Sequence, residues 1–236
     1  MQARLLEWFN DHGRDLPWRR TRDPYCVLVS EVMLQQTQVP RVIPHYLAWI
    51  ERWPTIESLA QAARSDVIRA WQRLGYNRRA VNLHRAVRRI AVEGWPDDLT
   101  ELPGVGRYTA DAVGRFAFGE SVLPVDTNVT RVLERTDGDF GPESAAALMD
   151  LGATVCLARI QRCGVCPLAR DCPSAGRRYV PLRKQSRFEG SFRQRRAETL
   201  RLVAAGQTTD LDTAALASLE RDGLVETRSG LGRLPQ

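Results

Sequence analysis

The sequence predicts an all-α protein whose helices are joined by short connections. Apolar residues recur at three- and four-residue intervals along most of the chain up to about residue 170. The alternating pattern of a half-buried strand is scarce before the C-terminal end. Proline and glycine interrupt the helical pattern repeatedly, as at Trp53-Pro54, Trp95-Pro96 and Gly141-Pro142. These observations favour a bundle of short helices over a fold built on a sheet.

The individual helices follow from the periodicity between the breaks. We predict helices at 2–12, 25–37, 40–52, 56–62, 65–73, 77–92, 107–118, 126–135, 143–156 and 163–170.

The character of the chain changes after Cys172. Residues 174–195 are polar and basic and predict a surface linker. We predict helices at 196–205 and 211–222, and LVETRSGLGRL predicts a small β-hairpin around Ser229-Gly230. Two helices and a hairpin resemble part of a winged-helix unit over 196–236. So short a tail buries little core of its own, so we expect it to pack on the main body.

Positive charge is concentrated in two stretches. From Cys156 to Leu202 there are twelve basic residues against three acidic ones, a local net charge of +9 within a chain of +6. Residues 73–89 carry six arginines and no acid. Such clusters suggest a polyanion, most simply nucleic acid, although a solvated helix face in an arginine-rich protein is equally compatible.

Segments for secretion or membrane insertion are missing from the sequence. No apolar run approaches the ~18 residues of a membrane span, and the N-terminal residues lack the apolar stretch of a signal peptide. We therefore expect a cytoplasmic protein without a membrane partner.

Four cysteines lie close together near the end of the predicted helical region. Cys156, Cys163, Cys166 and Cys172 follow the spacing C-x6-C-x2-C-x5-C. In a protein without a secretion signal this pattern indicates a metal site more than disulfides. One tight loop with a proline after the third cysteine suits a 4Fe–4S cluster; zinc or an unliganded set are the alternatives. Cys26 lies in an apolar segment and reads as a buried small side chain.

The stretch LPGVG, residues 102–106, predicts a helix–hairpin–helix turn. Its glycines permit positive φ and would present the N–H groups of Gly104, Val105 and Gly106 beside a helix N-terminus. Such a turn can hold a phosphate oxygen without reading base sequence. An ordinary helix connection is the competing interpretation.

Two carboxylates stand out as candidates for chemistry. Glu31 interrupts an apolar helix and shares a face with Gln35 and Gln38, which is either a solvent stripe or the wall of a cavity. In a cavity, burial would let Glu31 donate a proton near neutral pH. Asp126 stands at the predicted start of a helix, where capping alone would explain it. Together, two such acids suit cleavage of an N-glycosidic bond.

These motifs, in this order, resemble the helix–hairpin–helix (HhH-GPD) DNA glycosylases that carry an iron–sulfur cluster. The resemblance rests on SEVMLQQTQV, LGY, LPGVGRYTA, VDTNV and the cysteine spacing, and covers residues 1 to about 173. It is closest to the adenine DNA glycosylase (MutY) family. The family implies a six-helix barrel lobe at 20–125 that contains the hairpin turn. A cluster lobe would join 1–19 to 126–173, and the target base would be flipped out of the duplex into the cleft between the lobes.

The resemblance also implies a role for each matching residue. Glu31 would protonate the adenine and Asp126 would stabilise the oxocarbenium ion, with Tyr108 and Asn128 positioning these carboxylates. A base pocket and a wedge in the duplex complete the implied site. The pocket residues are Arg14, Trp18, Arg19 and Leu34, and the wedge residues are Gln36 and Tyr76.

Tyr108 bears on the type of reaction. In the endonuclease III branch this position is a lysine whose amine attacks the sugar and leads to strand cleavage. Tyrosine cannot form that Schiff base, and Lys184 is the only lysine among 34 basic residues. The resemblance therefore implies a monofunctional enzyme of base excision repair, one 4Fe–4S cluster, a monomer, and mispaired double-stranded DNA in the nucleoid as partner.

The chain departs from the family in several places. The short tail has no counterpart of the Nudix-like domain that recognises 8-oxoguanine, Asn77 replaces a tyrosine, and the stretch between Arg135 and Leu151 is shorter than the family leads one to expect. Adenine opposite guanine or 8-oxoguanine is the expected substrate. Thymine or uracil opposite guanine, hypoxanthine, and a non-catalytic iron–sulfur DNA-binding protein are the alternatives.

Overall fold

A computed structural model describes residues 1–179, 187–228 and 231–236, and in this part of the chain the all-α prediction is confirmed. The helices are α1 (Gln2–His12), α2 (Pro24–Leu34), α3 (Val39–Arg52), α4 (Ile56–Ala60), α5 (Arg64–Ala70), α6 (Arg78–Glu93), α7 (Arg107–Val113), α8 (Thr127–Thr136), α9 (Ala145–Thr154), α10 (Phe192–Ala204) and α11 (Thr213–Arg221). One antiparallel pair of strands follows: β1 (Glu226–Arg228) and β2 (Leu231–Arg233).

The chain forms two compact units, each from separate stretches: Met1–Pro24 with Arg107–Gln185, and Tyr25–Gly106 with Ser186–Gln236. In the first unit, α1, α8 and α9 bury an apolar core that includes Leu5, Val132 and Leu148. In the second, the indole rings of Trp49 and Trp71 meet edge to face with their centroids 5.5 Å apart. The lobes implied by the family, 20–125 and 1–19 with 126–173, stay a prediction.

The C-terminal tail packs into the second unit as expected. Leu200 of α10 and Leu219 of α11 share a buried cluster with Ile68 of α5 and Val81 of α6. This shared core supplies the apolar burial that a small tail lacks by itself. The predicted hairpin is present as β1 and β2, while Ser229 and Gly230 lie outside the described residues.

The helix predicted at 163–170 is wrong. A single 3₁₀ turn, Cys163–Val165, occupies its start, and Cys166 is extended (φ −82°, ψ 125°). Pro167 explains this conformation, because a proline disfavours the helical region for the residue before it. The cysteine segment is therefore a loop.

Several helices end earlier than their periodicity suggests, and α2 and α7 show this most clearly. Helix α2 stops at Leu34, and Gln36 adopts a left-handed φ of 55°. Helix α7 stops at Val113 and continues as one π-helical turn, Gly114–Phe118. Within the described residues no helix is long and apolar enough to cross a bilayer.

Candidate functional site

The four loop cysteines line one cavity of the first unit. Its volume, with the space open to solvent in front of it, is about 340 Å³, and its apolar walls come from Val132, Leu151 and Val155. Within the described chain, no three His, Cys, Asp or Glu side chains are arranged to hold a single metal ion. Four cysteines around one cavity are an arrangement that could hold a polynuclear cluster.

These thiols are partly buried and have cationic and hydrogen-bonding neighbours. Burial raises the pKa of Cys156 and of Cys166, while the guanidinium groups of Arg135 and Arg131 pull the pKa of Cys156 the other way. The N–H of Gly176 donates to Cys163 Sγ at 3.4 Å. Hydrogen bonds and cations around sulfur stabilise thiolates, the form in which cysteine binds metal.

Asp126 begins helix α8 and caps it. Its Oδ1 accepts hydrogen bonds from the N–H groups of Asn128, at 2.8 Å, and Val129, at 2.7 Å. Its Oδ2 accepts from Asn128 Nδ2 at 3.0 Å. The capping interpretation is therefore correct, and Asn128 also fixes the orientation of the carboxylate.

Arg131 connects this carboxylate to the cysteine loop. One guanidinium nitrogen donates to Asn128 Oδ1 at 2.8 Å and to the Gly152 carbonyl at 2.7 Å. Its Nε donates to the carbonyl oxygen of Cys156 at 2.7 Å. Arg131 is only 5% exposed, and through it and the partly buried Asn128 a continuous hydrogen-bond path runs from Cys156 to Asp126.

The two arginines expected in the base pocket both bind Asp150. Arg14 donates from its backbone N–H and from Nε, each at 2.8 Å. Arg19 donates from both terminal nitrogens, at 2.9 and 2.7 Å. Asp150 is fully buried, and Trp18 beside these arginines in sequence is 7% exposed. The sequence interpretation missed Asp150. Its only signal in the sequence is that it is the single acidic residue of the apolar helix α9.

Asp150 is held in its charged form by these contacts. Burial by itself would raise its pKa, but the hydrogen bonds from Arg19 and Arg14 outweigh that effect, so the pKa lies below its ordinary value. The carboxylate therefore neutralises two arginines that keep about a quarter of their side-chain surface exposed.

Glu31 lies in the second unit and is buried, with 5% of its surface exposed. Its neighbours along α2 are also buried, so the solvent-stripe interpretation is wrong at this position. Leu34 at the end of α2 is partly exposed, and the Gln35 amide donates to the Gly104 carbonyl at 3.5 Å. A buried carboxyl on an apolar helix is costly unless it serves chemistry or finds partners.

The two expected wedge residues are exposed and share an unusual backbone. Gln36 has φ 55° and Tyr76 has φ 46°, both in the left-handed region that favours glycine. Tyr76 is 43% exposed. Exposed side chains on constrained backbone often mark functional positions.

The glycine turn is present, with one difference from the expectation. Gly104 has φ +80°, and a Cβ there would lie 2.7 Å from Asn82 Cβ, so both conformation and packing require glycine. The N–H of Val105, however, donates to the Leu102 carbonyl at 3.1 Å, which closes the turn internally. Within the described residues, neither the N–H of Gly104 nor that of Gly106 donates a backbone hydrogen bond.

Comparison with known proteins agrees with this assembly of helices, turn and acids. Residues 29–150, which include Glu31, the glycine turn and Asp126, match the HhH-GPD superfamily of base excision DNA repair proteins. The chain belongs to this superfamily. Within it, the chain is 43% identical over 94% of its length to the adenine DNA glycosylase of Mycolicibacterium smegmatis, of which the match covers 91%. It is 38% identical over 71% of its length to the human adenine DNA glycosylase, of which the match covers 38%.

Solved structures of HhH-GPD proteins support the same fold. A thermostable thymine-DNA glycosylase matches 72% of this chain and 93% of its own with a TM-score of 0.66 and 27% identity. A trapped endonuclease III–DNA covalent intermediate matches 73% of this chain and 92% of its own with a TM-score of 0.63 and 24% identity, a likeness of fold alone. The predicted adenine glycosylase family and the DNA N-glycosylase class are confirmed.

The residues expected in the site are divided between the two units. The first unit brings together Asp126 with Asn128, Arg14 and Arg19 with Asp150, and the four cysteines. It also contains Tyr108, which is partly buried in α7. The second unit contains Glu31, Leu34 and both wedge residues. The meeting of Glu31 with Asp126 stays a prediction.

Proposed function

We propose that this HhH-GPD protein hydrolyses the N-glycosidic bond of adenine mispaired with guanine or 8-oxoguanine. The observation that carries the proposal is the burial of Glu31 on an otherwise apolar helix inside the matched region. The relatives named adenine DNA glycosylase, matched over nearly the whole chain, support adenine as the base.

The reaction needs a proton donor and a stabiliser of positive charge. Glu31 protonates the adenine ring, which makes the base a better leaving group, and then helps to activate water. Asp126 faces the oxocarbenium ion that develops at the sugar. The bonds from Asn128 support this role, because they hold the carboxylate in one orientation. Tyr108 positions the carboxylates from α7.

The base pocket is formed by Arg14, Trp18, Arg19 and Leu34. The hydrogen bonds of Asp150 support this role, since they restrict the two guanidinium groups before substrate arrives. Preorganised donors lose less conformational freedom when the flipped base binds.

The protein binds double-stranded DNA as a monomer at mispairs. The N–H groups of Gly104 and Gly106 approach the phosphate backbone, while the basic cysteine loop adds arginine contacts. Gln36 and Tyr76 enter the duplex and offset the stacking lost by the flipped nucleotide. The nucleoid of the cytoplasm is the expected location of such an enzyme.

One 4Fe–4S cluster would be held by Cys156, Cys163, Cys166 and Cys172. The cavity that all four cysteines line supports this assignment. When bound, the cluster supplies covalent cross-links that fold the loop. Arg159, Arg162 and Arg170 of that loop then contact phosphates.

The enzyme is monofunctional. A Schiff base with the sugar requires a lysine amine, and Tyr108 offers a phenol. Lys184 lies outside the described residues, beyond the matched region. The product is therefore an abasic site in an uncleaved strand.

Thymine opposite guanine is the second candidate substrate. The likeness to a thymine-DNA glycosylase at 27% identity favours it over the remaining alternatives.

A panel of duplexes tests the function. It contains adenine opposite guanine or 8-oxoguanine, thymine or uracil opposite guanine, and hypoxanthine, each scored for abasic sites by alkaline cleavage. We expect excision of adenine, and a loss of at least about 100-fold in Glu31→Gln, the scale of general acid catalysis. Glu51→Gln, at an exposed position of α3, is the matched control. Excision by Glu31→Gln at the wild-type rate would remove Glu31 from the mechanism.

A further inference from the structure

A single buried arginine, Arg79, connects the two loops that carry the wedge residues. Its guanidinium is 9% exposed and lies near the start of α6. It donates to seven oxygen atoms in two separate segments of the chain. These are the carbonyls of Val32, Met33, Gln35, Leu74, Gly75 and Tyr76 and the hydroxyl of Thr37, at 2.6 to 3.4 Å.

On one side, Arg79 completes the C-terminal end of α2. The last carbonyls of a helix lack partners within the helix, and glycine commonly follows in the left-handed conformation. Here the left-handed residue is Gln36. Nη1 of Arg79 donates hydrogen bonds to the carbonyl oxygens of Val32, Met33 and Gln35, at 2.8, 2.9 and 2.6 Å. A cation at a helix C-terminus is also favoured by the helix dipole.

On the other side, the same guanidinium organises the Leu74–Tyr76 turn. Nη2 donates to the Leu74 and Gly75 carbonyls at 3.2 and 2.9 Å. Nη2 also donates to Thr37 Oγ1 at 3.0 Å, and that hydroxyl lies 3.2 Å from the Leu74 carbonyl. The two loops are therefore joined through one group.

The chemistry of Arg79 fits a fixed connection and not an ion pair. Within the described residues, its side-chain hydrogen bonds all go to carbonyl or hydroxyl oxygens. Burial lowers the pKa of Arg79 to about 10, so the guanidinium is still charged at neutral pH. A planar fork of five N–H donors can serve several acceptors at once, which an ammonium cannot. Lysine at this position would keep the positive charge, but it could not donate hydrogen bonds to both loops in the same planar arrangement.

We propose that Arg79 is a positioning residue that makes the Gln36 and Tyr76 loops a single rigid wedge, so that both side chains enter the duplex together. This inference rests on the proposed function for the role of the wedge, and on the seven contacts for the connection itself. Rigid loops that hold left-handed residues ready for insertion lose less freedom on binding DNA.

Hydrogen exchange tests the connection without DNA. In Arg79→Lys, we expect peptides covering 35–37 and 74–76 to exchange together about tenfold faster than in the wild type, while α3 keeps its protection. Arg69→Lys, an exposed arginine that pairs with Asp66, is the matched control. Thr37→Val is a milder variant should Arg79→Lys fold poorly; it removes the hydroxyl that bonds both Arg79 and the Leu74 carbonyl, so it should speed exchange in both loops by a smaller factor. Faster exchange in one loop alone, or in neither, overturns the proposal.

A double-mutant cycle tests the effect on DNA. Single-turnover excision of mispaired adenine is compared in Arg79→Lys, Tyr76→Ala and the double variant. Because Arg79 acts through the wedge, the double variant should lose no more activity than the worse single variant. If the losses of activity in the two single variants multiply in the double variant, Arg79 does not act through the wedge. If the wild-type protein excised no base from any duplex, the proposed function would be overturned. The hydrogen-exchange experiment would still decide whether Arg79 joins the two loops.

Discussion

Arg19 and Asp150 form a two-point ion pair, with Nη1 donating to Oδ2 at 2.9 Å and Nη2 to Oδ1 at 2.7 Å. They lie 131 residues apart in sequence. Arg14 binds the same carboxylate, so one buried charge fixes the loop after α1 against α9. Removing that charge would leave two partly buried guanidinium groups without their counter-charge.

Asp150→Asn should therefore lower the free energy of unfolding. Breaking a buried ion pair costs roughly 3–5 kcal/mol, and the partial exposure of both arginines favours the lower end, about 3 kcal/mol. Denaturant unfolding at neutral pH measures the difference. Asp11→Asn, at an exposed position of α1, is the control and should change little. A loss below about 1 kcal/mol, as for a surface pair, would contradict this prediction.

The contribution of Asp150 should also depend on pH. Its pKa in the folded protein lies below the ordinary value of 3.8, so the charged carboxylate stabilises the fold fully above that value. The contribution is lost as the pH falls further, toward the folded-state pKa. The difference in unfolding free energy between wild type and Asp150→Asn should therefore be equal at pH 7 and 5 and shrink at pH 3. A difference unchanged at pH 3 would argue against the ion pair.

Substitutions at Asp126 should separate capping from chemistry. Asparagine is as good an N-cap as aspartate, so Asp126→Asn should keep the stability of α8 and lose the charge that we propose faces the sugar. We expect near-wild-type thermal unfolding and excision lowered by at least about 100-fold. Asp126→Ala removes the cap as well and should cost a further ~1 kcal/mol of stability. Full activity in Asp126→Asn would restrict Asp126 to capping.

The cluster site can be tested by metal content. Cys166→Ala should lose bound iron and the visible absorbance of an iron–sulfur cluster, because one of the four proposed ligands at the cavity is removed. Cys26→Ala is the matched control, since Cys26 is buried in α2 and is not among the cavity residues. Zinc in place of iron in the wild-type protein, purified without exposure to air, would favour the alternative metal.

Tyr108→Lys should introduce strand-nicking activity. An amine at this position can attack C1′ of the sugar as the base departs, forming an imine that borohydride reduces to a stable amine. We expect a covalent protein–DNA adduct on gel electrophoresis after borohydride treatment. Tyr108→Phe, which offers no nucleophile, should give none. Absence of the adduct in the lysine variant, provided that base excision persists, would mean that residue 108 does not face the sugar.

The sequence by itself determined the features that depend on neighbouring residues. Helical periodicity gave the class and most helices, the spacing of the cysteines indicated a shared site, and Asp126 was recognisable as a cap. The family followed from motifs that are each a few residues long. Such signals are readable because caps, turns and amphipathic faces are short-range effects.

The tertiary structure alone decided which distant groups meet. The sequence did not indicate that Asp150 would bind Arg14 and Arg19, or that one arginine of six in 73–89 would turn inward to join two loops. It left open whether Glu31 is buried, and it missed that the Val105 N–H closes its own turn. These pairings arise when packing brings remote segments together and excludes water, because a buried charge or carbonyl must then find a partner within the fold.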